Sequence, residues 1–190
     1  MGELRRGKNI DLRPREHLTP KEIERLVKAA AKLGRHGQRD ALMIMMGAAH
    51  GFRVSELVNL RRDDLDLDRQ ILFVRRLKKG TPTTQPLGAA ELRELRKLLR
   101  ESPESQYLFV SERKTAMTRF AFSKIVERAG KAAGFEWQVH PHMLRHACGY
   151  KHANQGKTTR ELQLFLGHKN IQHTVKYTEL AEDRFKDWKD

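Results

Sequence analysis

The sequence has few of the features that mark secreted and membrane proteins. It contains a single cysteine, Cys148, which rules out an internal disulfide and fits a reducing compartment. The N-terminal stretch MGELRRGKNIDLRPR has no apolar segment of the kind found in signal peptides. The longest apolar run, ALMIMMGAA at residues 41–49, is about half of a membrane span and indicates a buried helix instead. We therefore expect a cytoplasmic protein with no membrane partner.

Acidic residues are also scarce relative to basic ones. The 190 residues include 38 Lys and Arg against 24 Asp and Glu, a formal net charge of +14. This excess favours a polyanionic partner, with nucleic acid ahead of an anionic membrane surface, although a basic structural protein would have the same composition. The Asp and Glu residues form no cluster suited to two divalent ions, so we expect neither a metal nor another cofactor.

The length of the chain predicts one domain with short extensions. Residues 1–17 are basic without apolar periodicity, and we interpret them as an N-terminal arm that either follows phosphates or is disordered. Residues 18–180 form the predicted domain. In the tail, residues 181–190, Phe185 and Trp188 share a helical face and are suited either to docking on a neighbouring protomer or to packing on their own domain.

Capping signals and hydrophobic periodicity predict most of the chain as helix. Thr19, Pro20 and Glu22 have the pattern of a capping box that begins a helix, and Gly51 ends the apolar helix that follows. A short helix then follows Arg53. Further helices are predicted at residues 89–101, 118–134, 141–155, 158–166 and 171–179.

One segment has the period of two that is typical of strands. Residues 71–76 and 83–87 are predicted to form a hairpin, with its turn around Lys79 and Gly80. The predicted fold class is therefore α+β, predominantly helical, with a small antiparallel sheet.

The segment HPHMLRHACGY, residues 140–150, concentrates histidine and arginine. Helical spacing brings four of its residues to one face: His142, Arg145, His146 and Gly149. Because another face is apolar, we predict that the polar face lies at the surface. An anion suits this face better than zinc, since Arg145 repels a cation and Met143 stands where zinc proteases carry a glutamate. With a net charge of +14, the expected anion is a nucleic-acid phosphate.

Two further motifs carry residues that suit an anion site. In GFRVSEL, Arg53 precedes a helix, and Glu56 is placed to hold its guanidinium, although such pairs are usually structural. In LGHKNIQHTVKYTEL, Gly167 ends one helix, His168 follows it, and Tyr177 lies on the next helix. A lone tyrosine at a helix end is more often a packing residue than a chemical one, so the pattern leaves its role open.

Together the three motifs resemble those of the tyrosine recombinase (phage integrase) family. GFRVSELVNLRRDDLDL, HPHMLRH and LGHKNIQHTVKYT occur in the order and spacing of that family, and the resemblance covers nearly all of residues 18–180. RRLKKG and HPHMLRHACGY are most similar to the small regulatory recombinases that invert a fimbrial promoter segment. The resemblance implies the recombinase catalytic-domain fold and six catalytic residues: Arg53, Lys78, His142, Arg145, His168 and Tyr177.

Each of these residues has an implied role. Arg53 and Arg145 are the paired arginines that bind the scissile phosphate, and His168 donates to a phosphate oxygen. Tyr177 is the nucleophile. Because a free phenol has a pKa of about 10, it needs a proton acceptor, for which His142 of the H-x-x-R motif is the candidate.

The hairpin supplies the implied general acid. In the family, a lysine eight residues before the proline of a closing Pro-Leu protonates the leaving 5′-oxygen. Counting back from Pro86 gives Lys78, with Lys79 as the adjacent alternative.

The resemblance also implies the reaction and its partners. The enzyme would cleave and rejoin DNA through a 3′-phosphotyrosyl intermediate without metal or ATP, causing inversion, integration or excision. Expected partners are double-stranded DNA with inverted-repeat sites, a synaptic homotetramer and accessory DNA-bending proteins, in the bacterial nucleoid. Two alternatives remain: relaxation of DNA in the manner of a type IB topoisomerase, and a DNA-binding regulator without catalysis.

Overall fold

The computed structural model describes residues 15–76, 81–102, 104–179 and 181. Three predicted features lie outside the described residues. They are most of the N-terminal arm, the hairpin turn with Lys78 and Lys79, and the tail with Phe185 and Trp188.

The last residues of the predicted arm contact the domain. Arg15 Nη1 donates to Glu22 Oε1 at 2.7 Å, and the His17 ring centroid lies 4.2 Å from that of Tyr150. Residues 15–17 therefore lie against the domain in this structure.

The first two helices form the frame of the domain. Helix α1, Pro20–Ala31, begins with the predicted capping box, in which Thr19 N–H donates to Glu22 Oε2 at 2.8 Å and Glu22 N–H donates to Thr19 Oγ1 at 3.3 Å. Helix α2, Gly37–His50, is buried over most of its length. It ends at Gly51, as predicted, because this glycine adopts the left-handed φ of 59°.

The sheet is antiparallel with the strand order β1–β2–β3. Strands β2, Ile71–Val74, and β3, Thr83–Pro86, form the predicted hairpin, and the short strand β1, Leu65–Asp66, was not predicted. The hairpin pairing ends at Val74 and Thr83, short of the predicted residue 76, because Pro82 comes next and has no N–H to donate.

The remaining helices confirm the predicted ones to within two residues at each end. They are α3 (Val54–Val58), α4 (Ala89–Glu101), α5 (Arg119–Ala132), α6 (Pro141–Asn154), α7 (Thr159–Leu166) and α8 (Gln172–Glu179). The predominantly helical α+β class is thereby confirmed.

Helix α6 joins two apolar clusters. Its Met143 and Leu144 belong to the larger cluster, to which α1, α2, α4 and α5 contribute. Its Cys148 and Tyr150 belong to a smaller cluster formed where α7 and α8 pack on α6. The candidate site lies where these two clusters meet. Across the described part of the chain, no helix is both long and apolar enough to cross a membrane.

Candidate active site

The site is organised by the C-terminal end of helix α7. A helix end leaves carbonyl oxygens without intrahelical partners and carries partial negative charge, so it attracts cations. Three consecutive carbonyls here each accept a hydrogen bond from a different arginine: Phe165 O from Arg76, Leu166 O from Arg145 at 2.8 Å, and Gly167 O from Arg53 at 3.4 Å. Guanidinium groups from three distant parts of the sequence therefore meet at one turn.

Arg145 is almost completely buried, with only 2% of its surface exposed. Its Nη1 also donates to Gly51 O, so the guanidinium links the end of α2 to the end of α7. Burial, together with the positive charges of Arg53 and Arg76, lowers the pKa of Arg145 to about 10. The side chain is still protonated at neutral pH.

The prediction that the polar face of α6 lies at the surface was wrong. His142 is exposed, but Arg145 is 2% exposed and His146 is 8% exposed. The grouping on one helical face was correct. The burial was not foreseen because helices α7 and α8 cover that face, and periodicity within α6 does not report on later helices.

Glu56 holds Arg53 as the GFRVSEL motif predicted. Its Oε1 accepts from Arg53 Nη1 at 2.8 Å, and its Oε2 accepts from Arg53 N–H at 2.9 Å. Burial acts to raise the pKa of Glu56, but the Arg53 N–H bond and the Arg76 and Arg53 guanidiniums outweigh it and keep that pKa below its usual value. Because the Arg53 side chain retains 32% of its exposure, it is the arginine of the cluster most open to solvent.

Arg76 is a member of the cluster that the sequence prediction missed. Its side chain is fully buried, and its Nη1 donates to Glu56 Oε2 at 2.9 Å. A signal was present in the sequence. Leu72 and Val74 are the inward residues of β2, so the period of two continues to Arg76, and an inward arginine requires an acidic partner.

Tyr177 is packed into a close-fitting pocket on α6. It is 1% exposed, and its hydroxyl is 2.9 Å from His146 Nδ1. Gly149 makes the pocket possible, because a Cβ there would lie 2.7 Å from the Tyr177 Cζ. Burial raises the pKa of the Tyr177 phenol well above its ordinary value, an effect that the Arg145 charge only partly offsets.

The ring of His168 lies nearly parallel to that of Tyr177. Its ring centroid lies 6.3 Å from that of Tyr177 at an angle of 14°, and its Nδ1 is 2.8 Å from Thr174 Oγ1. Burial, followed by the charges of Arg145 and Arg53, lowers the pKa of His168 to about 3. The imidazole is therefore neutral at physiological pH.

The other two predicted residues are placed differently. His142 lies at the exposed rim, with its ring 4.4 Å from that of His146. The contact with the phenol is made by His146, which was predicted to share the anion-binding face but was not among the six implied catalytic residues. Burial and the nearby His142 and Lys176 lower the pKa of His146 to about 3, so it meets the phenol as a neutral ring. Lys78 is outside the described residues.

The structure thus brings Arg53, Arg145, His168 and Tyr177 together, with Arg76 and His146 as additional members. A cationic cluster beside a phenol is suited to binding a phosphate that the phenol can attack. Among the residues that the structure covers, no three His, Cys, Asp or Glu side chains are grouped so that they could hold a metal ion.

The fold and site identify the class of protein. The chain belongs to the phage integrase family, whose family model matches residues 16–184. It has the tyrosine recombinase catalytic fold and is an enzyme of that recombinase type.

Individual relatives refine this placement. Type 1 fimbriae regulatory protein FimB of Escherichia coli K12 is 42% identical over 180 residues, covering 92% of this chain and 90% of FimB. Tyrosine recombinase XerA of Thermococcus kodakarensis is 33% identical over 173 residues, which span 89% of this chain but 60% of XerA. The crystal structure of XerH site-specific recombinase bound to palindromic difH substrate, a post-cleavage complex, matches with a TM-score of 0.77 at 23% identity. It covers 92% of this chain and 53% of the XerH chain.

Proposed function

We propose that this protein is a site-specific recombinase that cleaves and rejoins double-stranded DNA through a 3′-phosphotyrosyl intermediate formed by Tyr177. The observation that supports this most strongly is the hydrogen bonding of Arg145 and Arg53 to the adjacent carbonyls of Leu166 and Gly167. Two guanidiniums held at adjacent carbonyls are close enough to bind one phosphate together, and Tyr177, the proposed nucleophile, lies beside them.

The arginines supply the electrostatic part of catalysis. Attack on a phosphodiester increases the negative charge on its non-bridging oxygens, and fixed donors aimed at that charge lower the barrier. Arg53 and Arg145 bind these oxygens, and His168 contributes a further hydrogen bond. The two arginines keep their charge at neutral pH, so this stabilisation is proposed to need no metal or ATP.

The bond changes are balanced by two proton transfers. The Tyr177 oxygen forms a bond to phosphorus as the bond to the 5′-oxygen breaks. The phenol proton goes to His142, and Lys78 gives a proton to the leaving 5′-oxygen. The phosphodiester energy stays in the tyrosyl link, so a free 5′-hydroxyl reverses the steps and reseals the strand.

Tyr177 must change its contacts before it attacks. In the free protein its hydroxyl bonds to His146 and its ring is 1% exposed, which leaves no room for a phosphate beside the oxygen. We infer that DNA binding selects a conformation in which this hydrogen bond is broken.

The proposed partners follow from the net charge of the chain and from its similarity to known recombinases. A net charge of +14 favours DNA, and XerH has been crystallised on its palindromic difH DNA substrate. The proposed sites are inverted repeats, bound by a homotetramer with accessory DNA-bending proteins.

The direct test is Tyr177→Phe. Duplexes from the DNA that flanks the gene are screened by gel shift, and a bound duplex is nicked near the cleavage point to trap the covalent product. The unsubstituted protein should form a protein–DNA adduct that survives denaturing electrophoresis. The variant should bind with nearly the same affinity and form none.

Two results would reject parts of the proposal. An adduct in Tyr177→Phe would exclude Tyr177 as the nucleophile. Relaxation of supercoiled DNA without four-way junctions between two cognate sites would favour the topoisomerase alternative instead.

A further inference from the structure

We propose that Arg76 is a positioning residue, which sets the distance between the two phosphate-binding arginines without touching DNA itself. This inference rests on the proposed function, because it assumes that Arg53 and Arg145 bind the scissile phosphate.

The first step is the pair of contacts that Arg76 makes. Nη1 donates to Glu56 Oε2 at 2.9 Å, and Nη2 donates to Phe165 O. Glu56 is the carboxylate that holds Arg53, and Phe165 directly precedes Leu166, whose carbonyl holds Arg145. One guanidinium therefore ties together the supports of both phosphate-binding arginines.

The second step is its inaccessibility. The Arg76 side chain has 0% exposure, compared with 32% for Arg53. Arg145 is also buried, but its guanidinium donates to two neutral backbone carbonyls, which leaves its positive charge for a phosphate. Arg76 differs from Arg145 in this respect. Its charge is already paired with Glu56, which is 1% exposed on its side chain. The effect of Arg76 on DNA therefore passes through the residues that it holds.

The third step comes from Gly167. A Cβ at this position would lie 2.7 Å from both Cγ and Cδ of Arg76, and the backbone has a left-handed φ of 64°. The glycine therefore serves two purposes, because it ends α7 and lets the turn that carries the acceptor carbonyls rest directly on the arginine stem.

The fourth step is that stability alone does not account for an arginine here. Its Nε is buried without a hydrogen-bond partner, which is an unfavourable arrangement. Well-packed apolar residues often replace buried ion pairs without loss of stability. The planar guanidinium has N–H donors in fixed positions, so it reaches a carboxylate and a carbonyl at the same time. Lysine has no such planar group, and apolar residues have no donor.

The experiment compares two substrates in single-turnover cleavage. One has a normal scissile phosphate, and the other carries a methyl group in place of one non-bridging oxygen and so lacks the charge that the arginines neutralise. Arg76→Met and Arg76→Lys should cleave the normal substrate about 10²-fold more slowly, as expected for a small misplacement of binding groups. On the methylphosphonate they should lose less than about threefold, because little charge is left to stabilise.

Arg75→Met is the matched control. Arg75 is the neighbouring residue and is also paired with a carboxylate, Asp64 at 2.6 Å, but its side chain is 63% exposed. Its substitution should leave the ratio of the two rates unchanged. Thermal denaturation checks that each variant folds, and Arg76→Lys provides a milder change if Arg76→Met does not.

The outcomes are distinguishable. Equal losses on both substrates in the Arg76 variants would overturn the inference, since a purely structural defect does not depend on phosphate charge. Normal cleavage of both substrates would also overturn it. Arg53→Ala tests the proposed function separately: if this variant slows both substrates equally, Arg53 does not bind the charged oxygens, whatever the Arg76 variants show.

Discussion

Glu56→Gln is the substitution for which the structure gives the most definite energetic expectation. The change keeps the size of the side chain but removes the negative charge that pairs with both Arg53 and Arg76. The glutamine amide still accepts one hydrogen bond, but it presents N–H groups to a second guanidinium that has only donors of its own. A fully buried Arg76 then loses the carboxylate with which its Nη1 is paired.

The expected loss is large because both partners are buried. The side chains of Arg76 and Glu56 are 0% and 1% exposed, and breaking such a pair by removing one partner costs about 3–5 kcal/mol. The hydrogen bond that glutamine retains places the estimate near the lower end, at about 3 kcal/mol. For a domain of this size, that corresponds to a fall in Tm of roughly 6–12 °C.

Urea denaturation at pH 7 measures the loss in free energy of unfolding, and differential scanning calorimetry at the same pH measures the fall in Tm. Glu127→Gln is the matched control, since Glu127 also pairs with two cations, Lys124 at 2.8 Å and Lys131 at 3.2 Å, but on the surface of α5. The control should change stability by less than about 0.5 kcal/mol. If Glu56→Gln lowers the free energy of unfolding by no more than the control does, the carboxylate does not offset the charges of Arg53 and Arg76, and the reasoning is refuted.

Three further expectations concern the tyrosine pocket, acidity and salt. Gly149→Ala places a methyl group 2.7 Å from Tyr177 Cζ, so it should lower the free energy of unfolding in urea by about 1–3 kcal/mol. It should also increase nitration of Tyr177, as measured by mass spectrometry, and unchanged nitration would contradict this expectation. The pKa values of His146 and His168 are lowered to about 3, so the unfolded chain binds more protons below pH 6.5. The contribution of these two histidines to the free energy of unfolding should therefore be fully present above pH 6.5. Below that pH it should fall by at most about 1.4 kcal/mol per pH unit for each histidine. A flat stability profile from pH 7 to 5 would contradict the burial of these rings. DNA affinity should fall linearly with salt in a double-logarithmic plot, and a slope near zero would exclude phosphate contacts as its main source.

The helices could be predicted from the sequence because their start and stop signals are local. Thr19 and Glu22 satisfy each other's groups within one turn, and Gly51 ends α2 through its own backbone conformation. The hairpin was likewise predicted from a local period, although its length was not. Whether residue 75 pairs depends on Pro82 across the sheet, which the period of the first strand does not report.

The interior of the site could not be predicted in the same way. The burial of Arg145 depends on α7 and α8 packing over α6, and the partner of the Tyr177 hydroxyl is set by which histidine faces the pocket. The role of Arg76 depends on Glu56, 20 residues earlier, and on Phe165, 89 residues later. Motifs identified the residues proposed to bind substrate, whereas the residues that hold them became visible only through tertiary contacts.

The docked tyrosine has an energetic consequence for DNA binding. Burying an aromatic ring contributes about 1.5–3 kcal/mol, and its hydrogen bond to His146 adds about 0.5–1.5 kcal/mol. Undocking Tyr177 then costs roughly 2–4.5 kcal/mol, so the undocked conformation is populated in about one free molecule in 30 to 2,000. DNA that binds only this conformation has its apparent affinity reduced by the same factor. If Tyr177 is the nucleophile, as we propose, its burial and hydrogen bond limit cleavage to DNA whose contacts outweigh this cost, and the close fit at Gly149 contributes to the cost.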